Sequence, residues 1–387
     1  MPFFRNSAVN LLNLHYGIHA LALIGGEAFF LVYLLKAGVP IPGVLLSLAL
    51  ILLGRFAIRP FVVVAAIRWG LRALVIAGTL VTALVYPSLA EVRGVGASLV
   101  VLIVIAAIGG TLYWTTYHAV FARLGDDEHR GQQIGAREAI AAMVGIISPL
   151  MTGWLLVMFG PLTAFSTVSV ITAASALPLL WTPDTAVQPD VPGVIRAAVP
   201  ATLLFAADGW IAMGTAFVWQ IALFVSLREN LLHYGGALAF AAMIGAAGSL
   251  TLGRHIDAGG GRHAVWYALT VIALLVVLRA AAAGNAALAV LATALGSLGY
   301  CLYIPTVMTP VYTMAKRSAC TLRFHVATEG GWDLGGAAAL LAAALATALH
   351  LSLAFTILLS LPGVAAMAAM LRHYYARVPA TAGAARH

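Results

Sequence analysis

The sequence predicts an all-α integral membrane protein with about twelve transmembrane helices in two pseudo-symmetric six-helix bundles. Three observations predict it. Of 387 residues, 62% are hydrophobic and 9% are charged, whereas a soluble domain carries roughly a quarter of its residues as charges. Apolar runs of about 20 residues or more, each able to cross about 30 Å of hydrocarbon, recur along the whole length. Short segments of the two halves also match at a nearly constant offset, close to half the chain.

The runs are continuous rather than alternating. This favours helices, which satisfy their own backbone hydrogen bonds in lipid, over a β-barrel. Length and flanking residues place the spans near 8–36, 39–66, 71–91, 95–121, 132–158, 161–182, 195–226, 233–253, 264–283, 286–315, 320–349 and 351–372. The first run is too long for a cleaved signal peptide and lacks a small-residue cleavage site. The polar, proline-rich stretch from Thr182 to Gly193 separates an N-terminal bundle (1–182) from a C-terminal bundle (195–387), with a cytoplasmic linker at 183–194.

Charge placement gives the expected orientation. With both termini in the cytoplasm, most flanking arginines and lysines fall on the inner side, among them Arg68, Arg72, Arg123, Arg196, Arg254, Lys316 and Arg372. Lys36, Arg93 and Arg228 fall outside. The positive-inside rule therefore accounts for the net charge of +8 without nucleic acid. The expected location is a cell membrane of the bacterial inner-membrane type. Cys301 and Cys320 are 19 residues apart, about 28 Å along a helix, so they do not pair within one.

Ionisable groups inside the spans are expensive unless they face a cavity or a partner. The first span carries His15 and His19 at i, i+4, with Glu27 two turns deeper. Such a histidine pair can hold a transition metal, with His118 of the fourth span extending the route, or it can hydrogen-bond to neighbouring helices. The second span carries Arg55 and Arg59, again i, i+4. Tyr113, Trp114 and Tyr117 line the fourth span and Tyr300, Tyr303 and Tyr312 the tenth; such rings can orient a polar ligand or hold a cation. Asp208 in the seventh span and Arg279 in the ninth are single charges with no partner visible in sequence. In the eleventh span His325, Glu329 and Asp333 lie at i, i+4, i+8, beside Trp332. Successive members turn only about 40° around a helix, so they form one stripe. Two carboxylates that close repel, which favours a proton on one of them and suits a proton carrier. A cation site and a plain buried ion-pair network are the competing readings.

Two turns carry a repeated pattern. Gly253, Asp257, Gly260 and Arg262 follow G-x-x-x-D-x-x-G-x-R between two apolar runs, and a fainter copy, Ile67 to Arg72, lies between two earlier ones. Gly70 and Gly260 are 190 residues apart, as are Arg72 and Arg262. Leu112–Thr116 matches Leu302–Thr306 at 190, Gly135–Glu138 resembles Val326–Glu329 at 191, and Gly26–Phe29 resembles Gly214–Phe217 at 188. Parallel repeats of this kind place a solute site at their interface near the middle of the membrane. Asp257 at a helix end suits pairing with an opposing helix N-terminus or an arginine.

These turns, with Asp126–Gly131 leading into the fifth span, resemble the major facilitator superfamily of transporters over nearly the whole chain. The resemblance implies that Gly253, Asp257, Gly260, Arg262 and Arg72 belong to a cytoplasmic gate, and that the second and eleventh spans are neighbours across the halves. Ile67 stands where the family has aspartate, so the first-half gate departs from the pattern. Arg55 and Arg59 facing Glu329 and Asp333 offer a replacement. Ser148–Gly153 weakly resembles a motif of proton-driven exporters, and the family's arginine within the fourth span is absent.

The expected function is secondary active transport of a small polar or cationic solute by alternating access, driven by protons. Glu27, Glu329, Asp333, His325, Asp208, Tyr113, Tyr303 and Trp332 are the candidates for coupling or substrate binding. No nucleotide motif or catalytic constellation is present. The expected partners are the bilayer and a small-molecule or ion substrate, the expected state is a monomer, and no cofactor is called for beyond a proton gradient. A transition-metal or metal-complex importer using His15, His19, His118 and His325 and a non-transporting sensor are the alternative readings.

Overall fold

A computed structural model describes residues 6–124, 130–184, 187, 191–256 and 261–377. Among these every regular element is helical. They are α1 (Ser7–Lys36), α2 (Ile41–Trp69), α3 (Leu71–Ala90), α4 (Ala97–Leu124), α5 (Arg130–Ala174), α6 (Val194–Ala212), α7 (Trp219–Ser226), α8 (Leu231–Ile256), α9 (Gly261–Ala282), α10 (Ala286–Lys316), α11 (Thr321–Ala348), α12 (Leu353–Leu358) and α13 (Leu361–Arg377). Polar residues just before the apolar runs cap several of them: Asn6 accepts from Val9 N, Asn285 from Leu288 N and Ser352 from Phe355 N.

Among the described residues eleven helical stretches are long and apolar enough to cross a membrane. One of them, Ala142–Trp181, is 40 residues long, about 60 Å, or twice a bilayer core. Gly160, with φ 78° and ψ 172°, breaks it into two crossings. Gly70 adopts nearly the same backbone (φ 79°, ψ 161°) between α2 and α3. Neighbours show that the chain reverses there. A side chain at Gly25 would meet Ser148 and Thr152, and Gly153 abuts Phe29, so the first arm of α5 runs parallel to α1. Phe165 then packs on Tyr33 at 4.9 Å and Ser175 reaches back to His15, so the second arm runs antiparallel to it. The division at Gly160 thus yields the expected fifth and sixth spans. The seventh is α6 and α7 joined by one π-helical segment, Met213–Val218.

Helices of the first half pack mainly on one another (α1 on α5, α3 on α4 and α5), as do those of the second (α6 on α11 and α13, α10 on α8 and α9). The halves join mainly where α2 meets α11 and α5 meets α8, with smaller contacts of α4 with α11 and α1 with α7. At the end opposite the N-terminus one apolar cluster spans both groups through Phe29, Tyr33, Phe224 and Tyr234. Toward the N-terminal end the core divides, with Leu12, Val62, Val75 and Tyr117 in one cluster and Leu204, Ile272, Val311 and Met367 in the other. Side chains such as Phe61, Val64 and Val170 stay about two-thirds exposed, as expected of a surface solvated by lipid tails.

Candidate functional site

The α2–α11 contact carries a buried ion network. Arg59 is 2% exposed and Asp333 0%. Arg59 Nε donates to Asp333 Oδ2 at 2.6 Å, and Nη1 donates to Glu329 Oε2 and to Thr115 Oγ1 of α4 at 2.9 Å. Arg55, one turn earlier, holds Nε 3.1 Å from Asp333 Oδ1, without the alignment of a hydrogen bond. The i, i+4 spacing on each helix makes this possible: two guanidinium groups on one stripe face two carboxylates on another. Each group alone is costly at this depth; together they neutralise one another, and Arg59 satisfies its Nε and Nη1 donors while its Nη2 has no hydrogen-bond partner. Glycine lets the helices approach, with Gly330 against Phe56 and Gly336 against Leu52.

Trp332 links this network to a second site. Its ring lies 5.9 Å from the Arg55 guanidinium, while its Nε1 donates to Asp208 Oδ2 at 3.0 Å. Tyr303 donates to Asp208 Oδ1 at 2.6 Å. Asp208, Tyr300, Tyr303, Met308 and Trp332 line a cavity of about 280 Å³ between α6, α10 and α11. Beside it, Tyr300 donates to Thr215 Oγ1 at 2.6 Å, and Arg279 donates to the Thr215 carbonyl. Thr215 lies in the π-helical segment, where the widened turn frees a carbonyl from the ordinary ladder. The Arg279 guanidinium also sits 5.1 Å from the Trp219 ring.

The first-half counterpart is a stack of rings. His19 packs on Tyr113 at 4.1 Å and on His15 at 5.4 Å. His15 Nδ1 donates to the Ser175 carbonyl at 2.7 Å, which leaves Nε2 to accept from the Tyr113 hydroxyl at 3.2 Å. His19 Nδ1 meets Ser175 Oγ at 3.3 Å, and its Nε2 has no hydrogen-bond partner. His118 lies elsewhere, against Trp114 at 5.5 Å and His325 at 6.3 Å. Among the described residues no three His, Cys, Asp or Glu side chains group as metal ligands. The repeat is visible in these partners: Tyr113 and Tyr303, 190 apart, engage His19 and Asp208, 189 apart.

Glu27 is exposed within α1 and is within electrostatic range of Arg55. Gly253 and Arg262 fall at the end of α8 and the start of α9; Asp257 and Gly260 lie outside the described residues. The fainter turn is tied to its own half: Arg72 N donates to Asp184 Oδ1 at 3.2 Å and its Nη1 to the Thr182 carbonyl at 3.0 Å. Asp184, past the sixth span, thus stands beside the turn whose own aspartate is replaced by Ile67.

Sequence reasoning overlooked Ser175 as the partner of both histidines, Thr115 as the third partner of Arg59, and Thr215 as the partner of Arg279 and Tyr300. It also overlooked Tyr234, which donates to the Ala28 carbonyl at 3.0 Å and joins the halves at the end opposite the N-terminus. These are uncharged groups in apolar surroundings, and only the repeated segments Leu112–Thr116 and Gly214–Phe217 offered any signal, at Thr115 and Thr215.

A sequence profile of the Major Facilitator Superfamily matches residues 28–322. No curated relative matches the sequence. Among solved structures, the fold is similar to the POT family transporter PepTSo, with a TM-score of 0.69, 12% identity, and 96% of this chain and 99% of that one covered. It is similar also to an auto-inhibited POT family peptide transporter, with a TM-score of 0.66, 13% identity and 98% of each chain covered.

Proposed function

The chain belongs to the Major Facilitator Superfamily, and from that footing we propose that it is a proton-driven secondary active transporter moving a small polar or cationic solute by alternating access. The observation that carries this reading is the buried network in which Arg59 holds Asp333 and Glu329 across the two halves. A charge network at an interface that must open and close acts as a latch. A proton delivered to either carboxylate cancels one of the attractions and loosens it. His325, one turn before Glu329, and Glu27, in electrostatic range of Arg55, are placed to pass that proton on.

The solute site is assigned to the interface of bundles 1–182 and 195–387, with 183–194 as the cytoplasmic linker. The positive-inside bias puts both termini in the cytoplasm of a bacterial-type cell and the α2–α11 latch in the inner half of the membrane. Tyr234 on Ala28, with the close approach of Gly235 to Pro149, then belongs to the outer gate. The two similar structures are described as POT family transporters, one of them a peptide transporter. At 12% and 13% identity that likeness carries the fold, so the solute is argued from this chain's own residues. The metal reading is the weaker one, because the Nε2 lone pair of His15 is taken by Tyr113.

The test is flux into liposomes holding the purified chain as a monomer, with an imposed pH gradient and a screen of organic cations, acids and metals. Proton-driven flux should fall at least tenfold in Asp333→Asn and in Arg59→Gln. A charge swap of the two should restore part of it. Full activity in both single variants overturns the latch.

A further inference from the structure

The cavity beside Asp208 has a chemical bias that the transport reading does not by itself supply. Three side-chain donors line it, and all three are committed to the protein. Tyr303 and Trp332 donate to Asp208, and Tyr300 donates to Thr215. What remains open is acceptor capacity and aromatic surface. A carboxylate has about four acceptor sites, of which two are used here. Among the described residues no cation lies within ion-pair distance of Asp208, in contrast to Glu329 and Asp333. Arg279, from α9, does not line the cavity: it is drawn onto the Thr215 carbonyl and the Trp219 ring and reaches only the hydroxyl of Tyr300 among the cavity's walls. A half-buried carboxylate with hydrogen-bond donors but no counter-charge is incomplete.

We propose that this cavity holds the ammonium group of a small organic cation, with Asp208 as its counter-ion and the rings of Tyr300, Tyr303 and Trp332 as its walls. An ammonium supplies what the site lacks: N–H donors for the spare lone pairs of Asp208 and positive charge for the ring faces, which attract cations when desolvated. An anion finds no free donor there. The volume of about 280 Å³ lies at the lower edge of ligand pockets, which suits a compact amine. Trp332 carries the consequence to the latch, because the same ring lies beside Arg55. A cation against that ring repels Arg55 and weakens its hold on Asp333.

The inference rests on the transporter reading, and direct binding separates the two. The probe is 2-phenylethylammonium, with 2-phenylethanol and 3-phenylpropionate as its neutral and anionic counterparts, titrated into the full chain in lipid nanodiscs. The ammonium should bind at least tenfold more tightly than either counterpart. Asp208→Asn should remove that advantage and leave the alcohol unchanged, and Asp208→Glu should keep part of it. Equal binding of the three probes, or an unchanged ammonium affinity in Asp208→Asn, overturns the proposal; should Asp208→Asn not fold, the wild-type order decides. Proton-driven flux of another solute without ammonium binding would sink this inference and leave the transporter standing. Ammonium binding without flux of any solute would do the reverse.

Discussion

Arg59 and Asp333 are 274 residues apart in sequence and 2.6 Å apart in space. Their contact ties α2 to α11, and both side chains are almost fully buried. Removing one partner of such a pair strands the other charge, which costs about 3–5 kcal/mol in a protein interior. Asp333→Asn should therefore lower the melting temperature in detergent as well as abolish transport. Asp333→Asn combined with Arg59→Gln should recover thermal stability relative to Asp333→Asn alone. No recovery in the double variant would show that the two do not act as a pair.

The two arginines should not be equivalent. Arg59 donates hydrogen bonds to both carboxylates and to Thr115, whereas Arg55 is 18% exposed and its approach to Asp333 lacks hydrogen-bond alignment. Arg59→Gln should reduce flux at least several-fold more than Arg55→Gln. Side-by-side uptake assays with matched protein loading decide the order, and the reverse order contradicts this assignment.

Close packing of α6 and α11 makes a steric prediction. A methyl group at Gly335 would overlap the Ala206 carbonyl, and one at Gly331 the Thr202 carbonyl. Gly335→Ala should cost about 1–3 kcal/mol, the usual range for overpacking, and lower the melting temperature. Gly236→Ala is the control: nothing lies within 4 Å of its would-be side chain. Helix propensity favours alanine by up to about 1 kcal/mol, so its melting temperature should hold or rise.

The two repeat-related tyrosines should respond differently to loss of the hydroxyl. Tyr303 donates to the carboxylate of Asp208 at 2.6 Å, whereas Tyr113 donates to a neutral ring at 3.2 Å. Hydrogen bonds to charged groups are worth about 1.5–3 kcal/mol and neutral ones about 1. Tyr303→Phe should lower thermal stability more than Tyr113→Phe, whose ring keeps its stack on His19. Equal shifts in a thermal melt would contradict the assignment of Asp208 as a carboxylate.

Zinc binding discriminates the metal reading. With the Nε2 lone pair of His15 accepting from Tyr113, His15→Ala should leave the affinity of the purified chain for zinc unchanged. A clear loss of zinc binding in that variant would revive the importer.

The sequence by itself determined the class, the spans and the chemistry of each face. Twenty-residue apolar runs declare membrane helices because lipid leaves the backbone no other partner. The spacing of Arg55 with Arg59, and of His325, Glu329 and Asp333, assigns each set to one stripe because helical periodicity is local. Only the tertiary structure decided which stripes meet and which atoms they offer. It gave Arg59 hydrogen bonds to both carboxylates and left Arg55 an ion pair with Asp333 alone. It joined Asp208 to Tyr303 and Trp332, and it drew His15 and His19 onto Ser175 rather than toward His118. Such contacts depend on the register and distance at which helices far apart in sequence cross, set by glycines such as Gly331 and Gly335, and no periodicity within one helix encodes them.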